Sequence, residues 1–243
     1  MELEKDYLAS KWVMKSKLFD GYSKMFFKTN ENLVDVYNKV DFKDKDVLSV
    51  LASSDQVFTA YLYGAKKVDS FDSNVLTIYY YYLRKWTIKY MRSIYPNQIL
   101  YGDFEWLSNL LEKVEPKTKE EVKALEFWKK HLDEKTELGK LFFDDYRHIE
   151  GKTILDSSVE SIVDKKVRFK KIDMFESIES EEQYDIVLMS NIIEWARDYD
   201  KKMVIVRDNL NKLLRNNGIS LVLLSFPFVF FVKKNLRKSV VIM

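Results

Sequence analysis

Asp46-Val47-Leu48-Ser49-Val50-Leu51-Ala52-Ser53-Ser54 is an apolar run that ends in small residues, the pattern of a strand buried on both faces in a parallel sheet. Outward from it the chain alternates. Gln56–Tyr63 reads as a short helix closed by Gly64, Lys66–Phe71 as a second strand followed by Asp72, and Asn74–Arg92 as a long helix ended by Pro96. The four tyrosines at 79–82 fall inside that helix and read as core and surface aromatics. After a break the rhythm resumes: strand Val167–Ile172 followed by Asp173, strand Tyr184–Ser190, helix Asp200–Arg215 ended at Asn216-Asn217-Gly218, and strand Ile219–Phe226. Strands alternating with helices predict an α/β fold, Rossmann-like and doubly wound, with a mostly parallel sheet and helices on both faces.

Three flanking regions do not share the alternation. Residues 1–43 carry Leu8, Trp12, Val13, Leu18, Phe26, Phe27, Leu33, Val36 and Tyr37 near a helical period, broken at Gly21, with Thr29 or Asn30 capping the second helix. They predict an N-terminal helical cap. Residues 96–165 predict a helical insert within the Rossmann-like domain, 44–226; Thr118 and Glu121 form a capping box before a stripe of Val122, Leu125, Trp128 and Leu132. Residues 227–243 leave no room for a fifth helix; Phe228–Val232 and Ser239–Met243 predict a hairpin around Lys233-Lys234-Asn235-Leu236. The fold is thus abbreviated there, or the chain is cut short.

Composition narrows the chemistry. With 243 residues, 47% of them hydrophobic, the chain can bury a substantial core. Lys and Arg number 40 against 38 Asp and Glu, giving a net charge of +2 and no clear nucleic-acid signal. Cysteine is absent, which excludes disulfides, thiolate catalysis and thiolate-held metals. The two histidines, His131 and His148, are too few for a histidine-rich metal site. His148 lies near Asp144, Asp145 and Glu150, but that run supplies one imidazole, so no metal is expected. The acidic N-terminus does not read as a secretory signal, and the longest apolar run, Ile219–Val232, spans 14 residues against the roughly 20 of a membrane helix. A cytoplasmic protein is the expectation; no oligomeric state follows from the sequence.

In an open parallel sheet the ligand lies beyond the carboxyl ends of the strands, where the strand order reverses. The residues expected there are Ala52, Ser53, Ser54 and Asp55 after the first strand, Phe71 and Asp72 at the end of the second, Asp173 after the third, and Ser190 and Asn191 after the fourth. Small residues let the backbone approach a ligand, and the next helix presents free N–H groups. Asp72 stands nineteen residues beyond Ser53, close to the spacing at which a carboxylate takes both hydroxyls of a ribose. The competing structural readings are helix caps at Ser53–Asp55 and Asp72, a solvated carboxylate at Asp173, and a helix start at Asn191–Glu194 with Trp195 as a packing anchor.

The pieces Val47-Leu48-Ser49-Val50, Val68-Asp69-Ser70-Phe71-Asp72, Tyr184 to Trp195 and Leu213 to Ile219, in that order and spacing, resemble class I S-adenosylmethionine-dependent methyltransferases. The resemblance covers roughly residues 44–95 and 166–226. It implies S-adenosylmethionine as cofactor, held at its methionine and sugar end by Ser53, Ser54 and Asp55. It further implies Asp72 on the ribose, Asp173 on the adenine and Asn191 by the sulfonium. Tyr22, Thr29, Asn30 and Glu194 would meet a small-molecule or lipid-like acceptor, with the N-terminal helices and the insert covering it. No glycine falls between positions 47 and 63, and Ser49 stands where the family places an acid. In Leu48 to Gln56 the chain is more similar to the aminocarboxypropyl transferases of betaine-lipid synthesis, which implies transfer of a 3-amino-3-carboxypropyl group from the same donor. A binding module without turnover and a nicotinamide-binding protein complete the alternatives; the second lacks its Gly-x-Gly-x-x-Gly turn. The apolar tail with Lys233, Lys234, Arg237 and Lys238 offers a membrane-surface contact as a minor reading.

Overall fold

A computed structural model describes residues 29, 31–92, 104–133, 159–170, 172–190, 192, 199–223, 229–233 and 240–242. The strands are β1 (Asp46–Val50), β2 (Lys67–Phe71), β3 (Val167–Lys170), β4 (Tyr184–Ser190), β5 (Leu214–Leu223), β6 (Val229–Lys233) and β7 (Val240–Ile242). They form one sheet in the order β3-β2-β1-β4-β5-β6-β7. The first five are mutually parallel, and β6 and β7 are added antiparallel. The described helices are α1 (Leu33–Tyr37), α2 (Asp55–Leu62), α3 (Val75–Met91), α4 (Phe104–Glu112), α5 (Lys119–Asp133) and α6 (Tyr199–Leu213), with a short 3-10 turn at Val159–Ser161. The fold is Rossmann-like, as the alternation predicts. None of the described helices is long and apolar enough to cross a membrane.

The two-residue period of the strands builds two separate cores. Val47 and Leu51 of the first strand region, Ile186, Leu188 and Leu221 join one core, whereas Leu48, Val50, Val187, Met189 and Val222 join the other. The first core takes α2, α3, α4 and α5; the second takes α6, with Met174 and Phe175. The helices leaving β1 and β2 therefore share one face and the helix between β4 and β5 takes the opposite one. The winding reverses between β1 and β4, which is where ligands gather in such sheets.

Helices α4 and α5 continue the first core outward. Trp128 is wholly buried, and its Nε1 donates to the carbonyl of Tyr79 at 3.0 Å. With the sheet on one side of α3 and α5 on the other, all four tyrosines at 79–82 are buried, although the sequence reading divides them between core and surface. Thr118 Oγ1 accepts from the Glu121 N–H at 3.1 Å, and the Glu121 carboxylate returns to the Lys117 N–H at 2.6 Å, one residue short of the reciprocal bond of a full capping box.

Several boundaries differ from the sequence reading; the largest difference is β5, which begins at Leu214 rather than Ile219 and takes in the Asn216-Asn217-Gly218 read as a helix end. Asn32, not Thr29 or Asn30, caps α1, accepting from the Asp35 N–H. Helix α6 ends at Leu213 rather than Arg215, because Leu213 and Leu214 are both drawn into the second core. Gly218 then passes so close to Tyr184 that a Cβ would stand 3.0 Å from its carbonyl oxygen. Strand β3 stops at Lys170, two residues early. The terminal hairpin is present in its predicted place, with β5 ending at Leu223 and β6 starting at Val229.

Charged groups decorate the second face of β2 and β3, where α6 does not reach. Asp69 is buried to 1% exposure and receives Lys67 at 3.1 Å, Arg168 at 2.5 Å and the Tyr184 hydroxyl at 2.8 Å. Burial works to raise its pKa, but the hydrogen bonds from Arg168, Tyr184 and Lys67 win and hold it below the ordinary carboxylate value. Its stabilising contribution is therefore complete above the unfolded-state pKa and is lost as the pH falls through the depressed folded value. Tyr184→Phe removes one donor from a buried carboxylate and is expected to cost about 1–2 kcal/mol in urea denaturation. An unchanged midpoint would mean that the two cations satisfy Asp69 without it.

Candidate functional site

At the carboxyl ends of β1 and β4 three residues take backbone angles that side chains rarely adopt. Ala52, Ser54 and Ser190 have φ of 43°, 72° and 53°. The left-handed region costs a non-glycine residue about 1–2 kcal/mol. A glycine-rich first turn would meet that geometry without strain; here alanine and serine are held in it. The turn is tight, with the Ser54 N–H donating to the Leu51 carbonyl at 2.6 Å, and Ser54 stands at the N-cap of α2 without a side-chain capping bond.

Asp72 ties this turn to β2. Its Oδ2 accepts from the Ala52 N–H at 2.9 Å and its Oδ1 from the Asn74 N–H at 2.9 Å. The cap of α3 is Asn74, whose side chain accepts from the Leu76 N–H, so the capping duty that competes for Asp72 is discharged by a neighbour. Asp72 is half-buried. Desolvation pushes its pKa up to about 6, against the lowering effect of N–H groups at Asn74 and Ala52 and the Thr77 hydroxyl. The Ser73 N–H also acts on this carboxylate, so a ligand hydroxyl would share its lone pairs with donors of the protein.

Ser53 and Asp55 turn inward. Both are wholly buried. Asp55 Oδ2 accepts from the Thr29 N–H at 2.6 Å and the Ser53 hydroxyl at 2.7 Å, and Oδ1 from Arg84 Nη1 at 3.0 Å. The Asp55 carboxylate thus bonds within the turn and to the buried guanidinium of Arg84, at the start of α2. Thr29 is likewise spent on Asp55 and on Glu31 and Gln56.

A second polar group stands beside the end of β4. Ser190 Oγ donates to the Glu31 carboxylate, and Gln56 Nε2 donates to Glu31 Oε2 at 2.9 Å and reaches Ser190 Oγ at 3.4 Å. Glu31, Gln56 and Ser190 are buried. Among the described residues Gln56 Oε1 and Ser54 Oγ are buried with no hydrogen-bond partner, an arrangement that costs free energy unless something else supplies the bond. Asp173 is half-buried, its Oδ1 accepts from the Phe175 N–H at 2.8 Å, and burial raises its pKa while that bond opposes the shift. Phe71 packs into the second core. Tyr22, Asn30, Asn191 and Glu194 lie outside the described residues, as do Trp195 and His148. Among the described residues no group of three His, Asp or Glu side chains is placed to hold a metal ion.

Glu31, Gln56 and Arg84 escape the sequence reading. Arg84 carries one signal: it falls in phase with Leu76 and Tyr80 on α3, a cation where the stripe calls for an apolar residue. Glu31 carries none, since an acid at a helix approach is ordinary. Compared with known proteins, the chain matches no family model and no curated sequence.

Proposed function

We propose that the chain is an S-adenosylmethionine-dependent transferase, with methyl transfer as its reaction. The observation that carries this reading is Asp72: a half-buried carboxylate at the carboxyl end of β2, bonded to the Ala52 N–H of the turn after β1 and relieved of capping by Asn74. A carboxylate so placed accepts from both hydroxyls of a ribose. The switch point between β1 and β4, and the antiparallel strands beyond β5, support the same reading.

The residues present fit the adenosyl group. Asp72 offers a carboxylate held by the Ala52, Ser73 and Asn74 N–H groups and the Thr77 hydroxyl, and Gln56 Oε1 and Ser54 Oγ, buried with no partner among the described residues, offer further bonds. Glu31, Gln56 and Ser190 would hold the amino-acid end; Asp173 would meet the adenine. When bound, the sulfonium supplies an alkyl group already activated for transfer. The protein's task is then to align the acceptor and exclude water, and no catalytic base is demanded. The glycine-free turn favours a second reading, aminocarboxypropyl transfer from the same donor. Product mass separates the two, at about 14 Da per methyl against about 101 Da.

The test is a ligand-stabilisation melt against S-adenosylmethionine, S-adenosylhomocysteine, adenosine and NADH. A ligand at about 100 times its dissociation constant adds about 2.7 kcal/mol. Stabilisation by the two sulfur compounds alone is expected; a response to NADH alone, or to none, defeats the reading.

The raised pKa of Asp72 adds a pH signature. A diol donates to the ionised carboxylate, so affinity for S-adenosylhomocysteine is expected to be flat above about pH 7 and to weaken about tenfold per unit well below pH 6. Stability without ligand runs the other way. A carboxyl whose folded pKa is raised from 3.8 to about 6 binds its proton more tightly in the folded state, so its contribution declines as the pH rises through that interval. Calorimetric titration across roughly pH 5–8, the span around that pKa, reads the first; a pH-independent affinity removes Asp72 from the diol.

A further inference from the structure

We infer that Arg84 is a positioning residue, one that holds the turn at 52–54 in the left-handed form the proposed adenosyl site uses and so stands in for the missing glycines. The inference rests on the reading of that turn given under Proposed function. Arg84 lies in the middle of α3, thirty-one residues from Ser53, and is wholly buried. Its Nη1 donates to the Ser53 carbonyl at 2.5 Å and to Asp55 Oδ1 at 3.0 Å. Asp55 Oδ2 in turn takes the Ser53 hydroxyl at 2.7 Å. One nitrogen therefore grips the backbone of Ser53 directly and its side chain through Asp55. Ser53 sits between Ala52 and Ser54, the two residues with φ of 43° and 72°.

The guanidinium is itself fixed. Its carbon lies 5.2 Å from the Phe58 ring centroid and 6.0 Å from that of Tyr80, and a planar guanidinium stacks on such rings. Both members of the Arg84–Asp55 pair are fully buried. Charges taken wholly out of water recover little net stability from their attraction, so the pair needs another use. Holding a carbonyl and a carboxylate at one point supplies it: if residues 52 and 54 relaxed toward ordinary backbone angles, the Ser53 carbonyl would swing away from Nη1. Arg84 acts through Ser53 and Asp55, and no role in the reaction is assigned to it.

Substituting Arg84 alone strips the cation from a buried carboxylate, so the informative variant is R84M/D55N. Its affinity for S-adenosylhomocysteine is expected to fall at least about tenfold, and adding A52G/S54G, which adopt positive φ freely, is expected to return it to within about threefold of the parent. Glycines add no contact to the ligand but do relieve backbone strain, so affinity is compared at a temperature where both variants are fully folded; failure of the rescue there, or undiminished affinity in R84M/D55N, overturns the inference. A crystal structure of R84M/D55N gives a reading without any ligand. Ala52 and Ser54 are expected outside the left-handed region, and positive φ at both overturns the inference. Should the parent bind no adenosyl compound, the proposed function falls while this second reading still decides the role of Arg84. If R84M/D55N does not fold, Arg84→Lys, which keeps a cation in the helix, takes its place in the same comparisons.

Discussion

Asp72→Ala is expected to weaken S-adenosylhomocysteine binding by about two orders of magnitude, the loss that follows when an acceptor of two hydroxyl hydrogen bonds to a charged group is deleted at about 1.5 kcal/mol each. In the melt, a ligand concentration that stabilises the parent by about 2.7 kcal/mol should leave the variant almost unmoved. The folded state without ligand should survive. Asp72 gives the Ala52 and Asn74 N–H groups their acceptor, but its position is half-buried, so water can replace it, and removing a carboxyl whose pKa is raised to about 6 also relieves a desolvation cost near neutral pH. Asp72→Asn is the sharper control. It keeps one oxygen for the Ala52 N–H and loses the charge that draws a diol, so it should bind weakly while its melt without ligand matches the parent. An alanine variant that binds as the parent does would sink the assignment of Asp72, and with it the observation on which the transferase reading stands.

Trp128→Ala is expected to cost about 3–5 kcal/mol, the range for deleting a fully buried aromatic. Trp128 has no exposed surface, packs edge-on to Phe127 with ring centroids 5.1 Å apart, and donates from Nε1 to the Tyr79 carbonyl. Truncation opens a large cavity between α3 and α5. Because Tyr79–Tyr82 fill the space between that helix pair and the sheet, the loss should appear in the global urea transition rather than as a separate early step. A variant that loses less than about 1 kcal/mol, or unfolds its helical region independently, would mean that residues 104–133 form a unit apart from the sheet. Trp128→Phe, which keeps most of the volume and gives up the N–H, should lose about 1–2 kcal/mol.

Much of the architecture is legible because it is written in local periods. Val47 and Leu51 on one side of β1 against Leu48 and Val50 on the other are what a doubly covered strand needs, and Gly64 closes α2 with φ of 93°, a conformation open to glycine. Elsewhere the local signal is ambiguous. Thr29, Asn30 and Asn32 are all acceptable caps, and the choice of Asn32 follows from Thr29 being taken by Asp55. The run Leu213-Leu214-Arg215-Asn216 continues a helical pattern, yet the core claims both leucines and Arg215 swings to Asp46 and Asp185, at 2.6 and 2.7 Å, pinning the opposite edge of β1 and β4.

The candidate site divides along the same line. Asp72 is found by counting from Ser53, since the strand, turn and helix between them have nearly invariant lengths in such units. The Glu31–Ser190 contact joins residues 159 positions apart, and Arg84 reaches Ser53 across 31; no local period records either. By itself the sequence determined the alternating strands and helices, the place where their winding reverses, and a carboxylate beside it. Only the tertiary structure decided that Ala52 and Ser54 bend left-handed, that Asp55 pairs with a buried arginine, and that Glu31 closes on β4. Those outcomes depend on which polar groups are shut away from water together, and that is settled by the packing of distant segments rather than by any residue's neighbours in the chain.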